Sequence, residues 1–492
     1  MIPLTLAEAA AATGGRLLEA EGAVIATSLW ADSRAVRPGA LFVALPGSRT
    51  DGSRFAAQAL EAGAVAVLAA AGAVAAGPRI EVDDPLAALG ALGAAVRARS
   101  RAHVVGVTGS TGKTTTKDLL AAVLATRLST VANTASFNNE VGLPLTLARL
   151  EPGTQALVVE MGARAPGHIA ALARLARPEV GVVLNVGVAH LGMFGTQAAI
   201  AAAKGELVEA LPPHGTAVLN ADDPLVAAMA GRTSAMVLQF GLGPGAEIRA
   251  EGISLDERGH AHFKLRTPGG GAETSLPAPG EHLVPDALAA AAAGHALGLE
   301  PEGIAAGLGG AALSPMRMQV QRRADGLTVI NDAYNANPAS MAAALKALMA
   351  ARSRGARPGR TVALLGEMAE LGEQAAAEHD RLGRLATRLG VDRLVGVGEL
   401  GEVIVRAARM EGMWPEEAIA VPDAGAAVAV LDRWLEPADV VLVKASRVVA
   451  LDQVAERLLG GPERRPGLAR STGGAPPWGS PDPSGEPDER GS

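Results

Sequence analysis

Val104-Val105-Gly106-Val107-Thr108-Gly109-Ser110-Thr111-Gly112-Lys113-Thr114-Thr115 decides how this chain is read. An apolar, strand-like run enters a turn with two glycines and leaves through Gly-Lys-Thr into Lys117-Asp118-Leu119-Leu120-Ala121-Ala122-Val123-Leu124, which has helical character. Glycines let the backbone curl until successive N–H groups point at one anion. The lysine ammonium reaches the outer phosphates, and the threonine hydroxyl can ligate Mg²⁺. A strand, loop and helix of this kind hold ATP or GTP at the helix N-terminus. The generic pattern starts with a glycine that would fall at Val107; here Thr108-Gly109 takes that role.

Working outward, the same strand and helix rhythm continues. Apolar runs at Ala156-Leu157-Val158-Val159, Val180-Gly181-Val182-Val183-Leu184 and Thr216-Ala217-Val218-Leu219 are separated by helical stretches, as in a parallel sheet covered on both faces. Between about residues 240 and 280 polar and apolar residues alternate, as in His260-Ala261-His262-Phe263-Lys264-Leu265, which predicts an appended antiparallel subsheet. Residues 1–100 read as a small α/β domain, with strands at 40–45 and 64–68 and a helix over 54–62. Residues 313–460 repeat the alternation in a Rossmann-like, doubly wound pattern, with Leu327-Thr328-Val329-Ile330, Val362-Ala363-Leu364-Leu365, Leu394-Val395-Gly396-Val397 and Val440-Val441-Leu442-Val443 as strands. The expected fold is therefore α/β in three domains, at 1–100, 101–312 and 313–460, with residues 461–492 expected to be a disordered tail of Pro, Gly, Ser and charge.

Composition narrows the function. With 492 residues, 49% apolar, about three cored domains are expected. The net charge of −7 attracts neither nucleic acid nor an anionic membrane, so local cations must hold any polyanionic substrate. There is no cysteine, hence no disulfide, thiolate metal site or cysteine nucleophile. The first residues lack a basic segment ahead of their apolar ones, and the uncharged run at 62–77 is shorter than the roughly 18 residues of a membrane span. A cytoplasmic monomer without a membrane span is expected.

Three residues could serve the phosphate loop. Glu160 follows a strand run, where a carboxylate can ligate Mg²⁺ or cap a helix. His190 also lies beyond a strand end, as a ligand or an ordinary loop histidine. Lys204 sits in a helical stretch, where lysine is normally a solvated surface charge.

The phosphate loop, Phe137-Asn138-Asn139-Glu140-Val141-Gly142-Leu143-Pro144, Glu160-Met161-Gly162, His190 and Lys204 occur in an order that resembles the Mur ligases, ATP-dependent enzymes that build the peptidoglycan stem peptide. Asn331-Asp332-Ala333-Tyr334-Asn335-Ala336-Asn337-Pro338-Ala339-Ser340-Met341, Leu365-Gly366-Glu367-Met368-Ala369-Glu370-Leu371-Gly372 and Val443-Lys444-Ala445-Ser446-Arg447 resemble the branch that adds D-alanyl-D-alanine to UDP-N-acetylmuramoyl-tripeptide. The resemblance implies that Thr108 to Thr115 bind ATP together with Arg317, Asp332 and Asn335. It also implies that Lys113 contacts the transferred phosphate, and that Thr114, Glu160 and His190 ligate Mg²⁺. Lys204 resembles a lysine carbamylated to an anion beside that metal, and with Lys113 and His190 completes the catalytic set. Ser33, Arg34, Asn138, Asn139, Lys444 and Arg447 would bind the nucleotide peptide or acceptor, the first domain holding the UDP end. There Arg34 could pair with a pyrophosphate and the Gly47-Ser48 turn offer backbone donors, or Arg34 could form an ordinary surface pair with Asp32.

Two departures stand out. His282-Leu283-Val284-Pro285-Asp286 replaces the His-Asn-x-x-Asn motif on the adenine side, and Met316 replaces the glycine common before the family arginine. Competing readings are the ligase adding the third amino acid, whose Asp-Asn-Pro-Arg-type motif is absent, a folylpolyglutamate-type ligase, and a phosphate-loop ATPase switch.

Overall fold

The apolar run before the glycine turn is the strand His103–Thr108, buried beyond its first residue, and the segment after the turn is the helix Lys113–Ala125. The computed structural model describes residues 1–47, 50–134, 137–187, 191–352 and 359–460. His103–Thr108 lies between Ala156–Glu160 and Val180–Val183 in a nine-stranded sheet. From one edge the order is Thr130–Ala132, Ala156–Glu160, His103–Thr108, Val180–Val183, Thr216–Asn220, Met236–Gly241, Ile248–Leu255, His260–Thr267 and Gly270–Pro279. The chain first builds to one side of His103–Thr108 and then crosses to the other. The phosphate loop thus stands at the switch point where ligands bind in such sheets.

Unbroken apolar strands arise because both faces are covered. Val105, Val107, Val182 and Val218 pack with Leu120, Leu124 and Leu288, whereas Val183 and Leu219 pack with Ile200 and Val208. The alternating segment forms antiparallel strands appended to the main sheet, as expected. Ile248–Leu255 pairs in parallel with Met236–Gly241, so the last strands extend the main sheet.

The C-terminal strands form a six-stranded sheet in the order Gln319–Arg322, Thr328–Asn331, Val440–Lys444, Thr361–Leu365, Arg393–Val397 and Ala418–Val421. Only its first strand is antiparallel. Asn337-Pro338-Ala339-Ser340 starts a helix there. Asn337 Oδ1 accepts from Ser340 N at 2.9 Å, Ser340 Oγ accepts from Asn337 N at 3.1 Å, and Pro338 sits where no N–H is needed.

Met1–Ser100 and Glu140–Pro152 form one compact unit, and residues 101–139 with 153–460 form another. The first contains a five-stranded sheet in the order Arg16–Leu18, Arg79–Val82, Ala66–Ala70, Ala40–Val43 and Ser28–Trp30. The expected helix over 54–62 is a 3-10 turn, Gly52–Phe55, followed by Ala56–Glu61. The helix Gly142–Leu147 packs on Pro85–Ala98, with Gly93 against Pro144, within the first compact unit. Among the described residues no helix is long and apolar enough to cross a membrane. The tail at 461–492 lies outside the described residues.

Candidate active site

The phosphate loop is shaped by its two glycines. Gly112 has φ +80° and leads into Lys113–Ala125, whose N-terminus has no side-chain cap, as suits a helix end facing an anion. A Cβ at Gly109 would stand 2.8 Å from Leu184 Cβ. Asn185, just past Val180–Val183, fixes the turn: its Oδ1 accepts from Ser110 N and Thr111 N, each at 3.0 Å. Ser110 Oγ in turn accepts from Gly187 N at 2.8 Å. Thr108 Oγ1 donates to Met161 O at 2.9 Å, tying the loop to the next strand end. Lys113 folds back to donate to Gly109 O at 2.9 Å. Burial of its ammonium lowers its pKa, and the Glu160 charge opposes the shift.

Glu160 ends its strand and is 1% exposed. Thr114 Oγ1 donates to its Oε2 and Asn138 Nδ2 to its Oε1, both at 2.7 Å, while its own N–H donates to Asn133 Oδ1 at 2.9 Å. The next helix starts only at His168, so the helix-cap alternative falls away. A hydroxyl and a carboxylate converging beside a phosphate loop form a hard oxygen donor set that fits Mg²⁺. Among the described residues no three His, Asp or Glu side chains converge, so further ligands would come from substrate or elsewhere. His190 lies outside the described residues. Thr115 and Asn139 are half-buried, Thr115 on the loop helix.

Lys204 is not the solvated surface charge that a lysine in a helical stretch normally is. It is 6% exposed, because its helix, Gln197–Glu209, packs against Val180–Val183 and His103–Thr108. Burial first, and then the Lys113 charge, pull its pKa down to about 7. A substantial fraction of its amine is therefore neutral at physiological pH.

The C-terminal sheet contributes a second cluster. Arg317 Nη2 donates to Thr114 Oγ1 at 3.2 Å, and its guanidinium lies 4.2 Å from the centre of the Tyr334 ring. Asp332 accepts from Met318 N at 3.0 Å and from Lys444 Nζ at 2.6 Å. Lys444, 2% exposed, also donates to Asn335 O at 2.9 Å. Asp332 and Lys444 thus form a buried ion pair tied to the backbone of the exposed Asn335. Arg447 pairs with Asp452 at 2.7 Å and its Nη1 also donates to Met316 Sδ at 3.5 Å, beside Arg317. Met316 holds φ +59°, the left-handed conformation in which glycine is at ease, so the backbone keeps the shape although the residue differs.

His282 and Asp286 both touch this centre electrostatically. Burial pulls His282 down to about 4, so the ring is neutral. The Asp286 carboxyl packs against Gly112 so closely that a Cβ there would collide with it. Burial pushes this carboxyl up to about 8, against the opposing effects of Thr116 and Arg317. Asp286 is thus predominantly a neutral acid at pH 7, a hydrogen-bond donor as well as an acceptor.

In the first unit, Ser33 Oγ donates to Gln58 Oε1 at 3.1 Å. Arg34 makes a two-pronged pair with Asp32, Nε to Oδ1 at 2.9 Å and Nη2 to Oδ2 at 2.7 Å. Ser48 lies outside the described residues. Sequence reasoning passed over Asn133 and Asn185 as site residues. Asn185, standing one residue beyond an apolar run, carried the same strand-end signal as Glu160.

A phosphate loop with a hydroxyl–carboxylate pair, a buried lysine and an arginine from a second sheet defines an ATP-dependent ligase of the Mur type. Residues 26–97 match the Mur ligase family catalytic domain, 107–294 the Mur ligase middle domain, and 316–447 the Mur ligase glutamate ligase domain. The chain belongs to the Mur ligase family. It is 46% identical to the UDP-N-acetylmuramoyl-tripeptide--D-alanyl-D-alanine ligase of Mycobacterium leprae, over 95% of this chain and all of that protein. Its fold is similar to that of MurF from Acinetobacter baumannii, with a TM-score of 0.82 and 30% identity over 93% of this chain and 99% of that one. It is also similar to MurF from Thermotoga maritima in complex with ADP, with a TM-score of 0.75 and 29% identity over 88% and 97% of the two chains.

Proposed function

We propose that this chain joins D-alanyl-D-alanine to UDP-N-acetylmuramoyl-tripeptide at the expense of ATP. The observation that carries this reading is the cluster of Lys113, Thr114, Glu160 and Arg317 at the sheet's switch point, in a chain matching such ligases over nearly its full length. The terminal carboxylate of the tripeptide attacks the γ-phosphate of ATP, giving an acyl phosphate and ADP. The amine of the dipeptide attacks that carbonyl, the C–N bond forms, and phosphate leaves as the amine proton is released. Two anions must meet in the first step, so the cations of Lys113 and Arg317 supply the stabilisation. Thr114 and Glu160 would hold Mg²⁺, which neutralises phosphate charge when bound.

Burial of Lys204 beside Lys113 supports a further role. Its neutral amine can attack CO₂, form an N–C bond and lose a proton, replacing a repelled cation with an anion. Ser33, Arg34, Asn138, Asn139, Lys444 and Arg447 remain the proposed contacts for the nucleotide peptide and acceptor. The proposed working division is 1–100 for the UDP end, 101–312 for ATP and 313–460 for the acceptor side, in a cytoplasmic monomer.

Phosphate release is measured with ATP, Mg²⁺, the nucleotide tripeptide in its lysine or diaminopimelate form, and D-alanyl-D-alanine, omitting each in turn. Release that needs all components supports the ligase. Release without D-alanyl-D-alanine supports an ATPase switch, and release driven by glutamate a folylpolyglutamate-type ligase. In CO₂-stripped buffer turnover falls and bicarbonate restores it; indifference to CO₂ argues against the carbamate.

A further inference from the structure

Arg317 reaches the phosphate loop from a strained stretch of backbone. Met316 and Met318 on either side of it have φ of +59° and +49°, the left-handed conformation that a residue with a side chain rarely adopts. Strain of this kind persists only where the surroundings hold it. One anchor lies on the C-terminal sheet, where Asp332 accepts from Met318 N at 3.0 Å.

The other anchor lies on the phosphate-loop helix. Asp118 Oδ2 accepts from Ser314 N at 2.7 Å, and its Oδ1 accepts from Ser314 Oγ at 3.0 Å. Lys117, 2% exposed, pairs with Asp118 Oδ1 at 2.6 Å and donates to Asn133 O at 3.1 Å. Asn133 in turn holds the Glu160 backbone through its side chain. The contacts close a ring: Glu160, Asn133, Lys117, Asp118, Ser314, then along the chain to Arg317, and through Thr114 back to Glu160. Lys117 Nζ also donates to Ser314 Oγ at 3.4 Å, so three hydrogen bonds fasten this buried ion pair to one short segment.

We propose that Lys117 and Asp118 are positioning residues of the nucleotide site, fixing Ser314 so that the Arg317 guanidinium is held on Thr114. Asp118 thus acts through Arg317. The inference rests on the nucleotide reading of the phosphate loop and is independent of which acceptor is used.

The test is a double-mutant cycle on the full chain, read by calorimetric titration with Mg-ATP alone. Asp118→Asn weakens Mg-ATP binding about tenfold in the parent, within the coupling range of residues sharing a network, but less than about twofold in an Arg317→Ala background. An equal loss in both backgrounds overturns the inference, as does unchanged binding in Asp118→Asn. If Asp118→Asn is unfolded at the titration temperature, Ser314→Ala enters the same cycle, because it removes the hydroxyl contact and keeps the backbone N–H. A parent chain that does not bind Mg-ATP overturns the nucleotide reading itself, whereas failure of the cycle alone leaves that reading intact.

Discussion

Lys113, Lys204 and Asp286 show how burial in one site shifts three ionisable groups. The Lys113 ammonium faces Glu160 and folds onto the loop, ready to meet a phosphate. Lys113→Ala is expected to lower turnover by about 10²-fold or more, since preorganised charge is typically worth that much, while the melting curve stays close to the parent. Retained ADP release with all substrates present would remove Lys113 from the reaction. For Asp286 the sign follows from its pKa of about 8 in the fold against the ordinary aspartate value near 4. Between these pH values the folded chain holds a proton that the unfolded chain has released. This carboxyl's contribution to stability is therefore greatest below about pH 4, is lost as pH rises, and levels off above about pH 8. Asp286→Asn removes the titration, so its melting temperature should gain on the parent by several degrees between pH 5 and pH 8. A pH-independent difference would show the carboxyl to be ionised throughout.

Elements carry the precision of the site through close packing. Gly307, on the helix Pro301–Gly309, meets the phosphate-loop helix so tightly that a Cβ would lie 2.5 Å from Val123 Cα and 2.9 Å from its N. Backbone cannot yield as a side chain can, so Gly307→Ala is expected to cost about 1–3 kcal/mol, read by denaturant unfolding. Unchanged stability would mean that the two helices slide apart freely. The strands around this helix were legible because an apolar run between turns is a local signal: the expected 104–107 became His103–Thr108, and 440–443 became Val440–Lys444. Asn337 and Ser340 were quoted for family resemblance, yet their visible work is a helix cap. A capping box is a local pattern too, and the sequence carried it all along.

On the scale of the whole molecule, the two compact units have separate apolar cores. Val36, Phe42, Ala59 and Val67 build one, and the clusters around the phosphate-loop sheet build the other. Calorimetry is expected to resolve two unfolding transitions. Mg-ATP should raise the one belonging to the larger unit, by about 2.7 kcal/mol at a hundredfold excess over its dissociation constant, and leave the other in place. One transition shifting as a whole would show that the units unfold together. The sequence by itself determined the α/β class, the three strand–helix regions, the phosphate loop and the strand-end acid, because turn chemistry and apolar periodicity act between near neighbours. Only the tertiary structure decided that Lys204 is buried beside Lys113, that Asp286 closes on Gly112, that Lys117 and Asp118 hold Ser314, and that residues 140–152 pack with the first hundred. Each of those facts is a contact between residues distant in the chain. Burial and charge at such contacts are set by what folds against a residue, which no stretch of neighbouring sequence records.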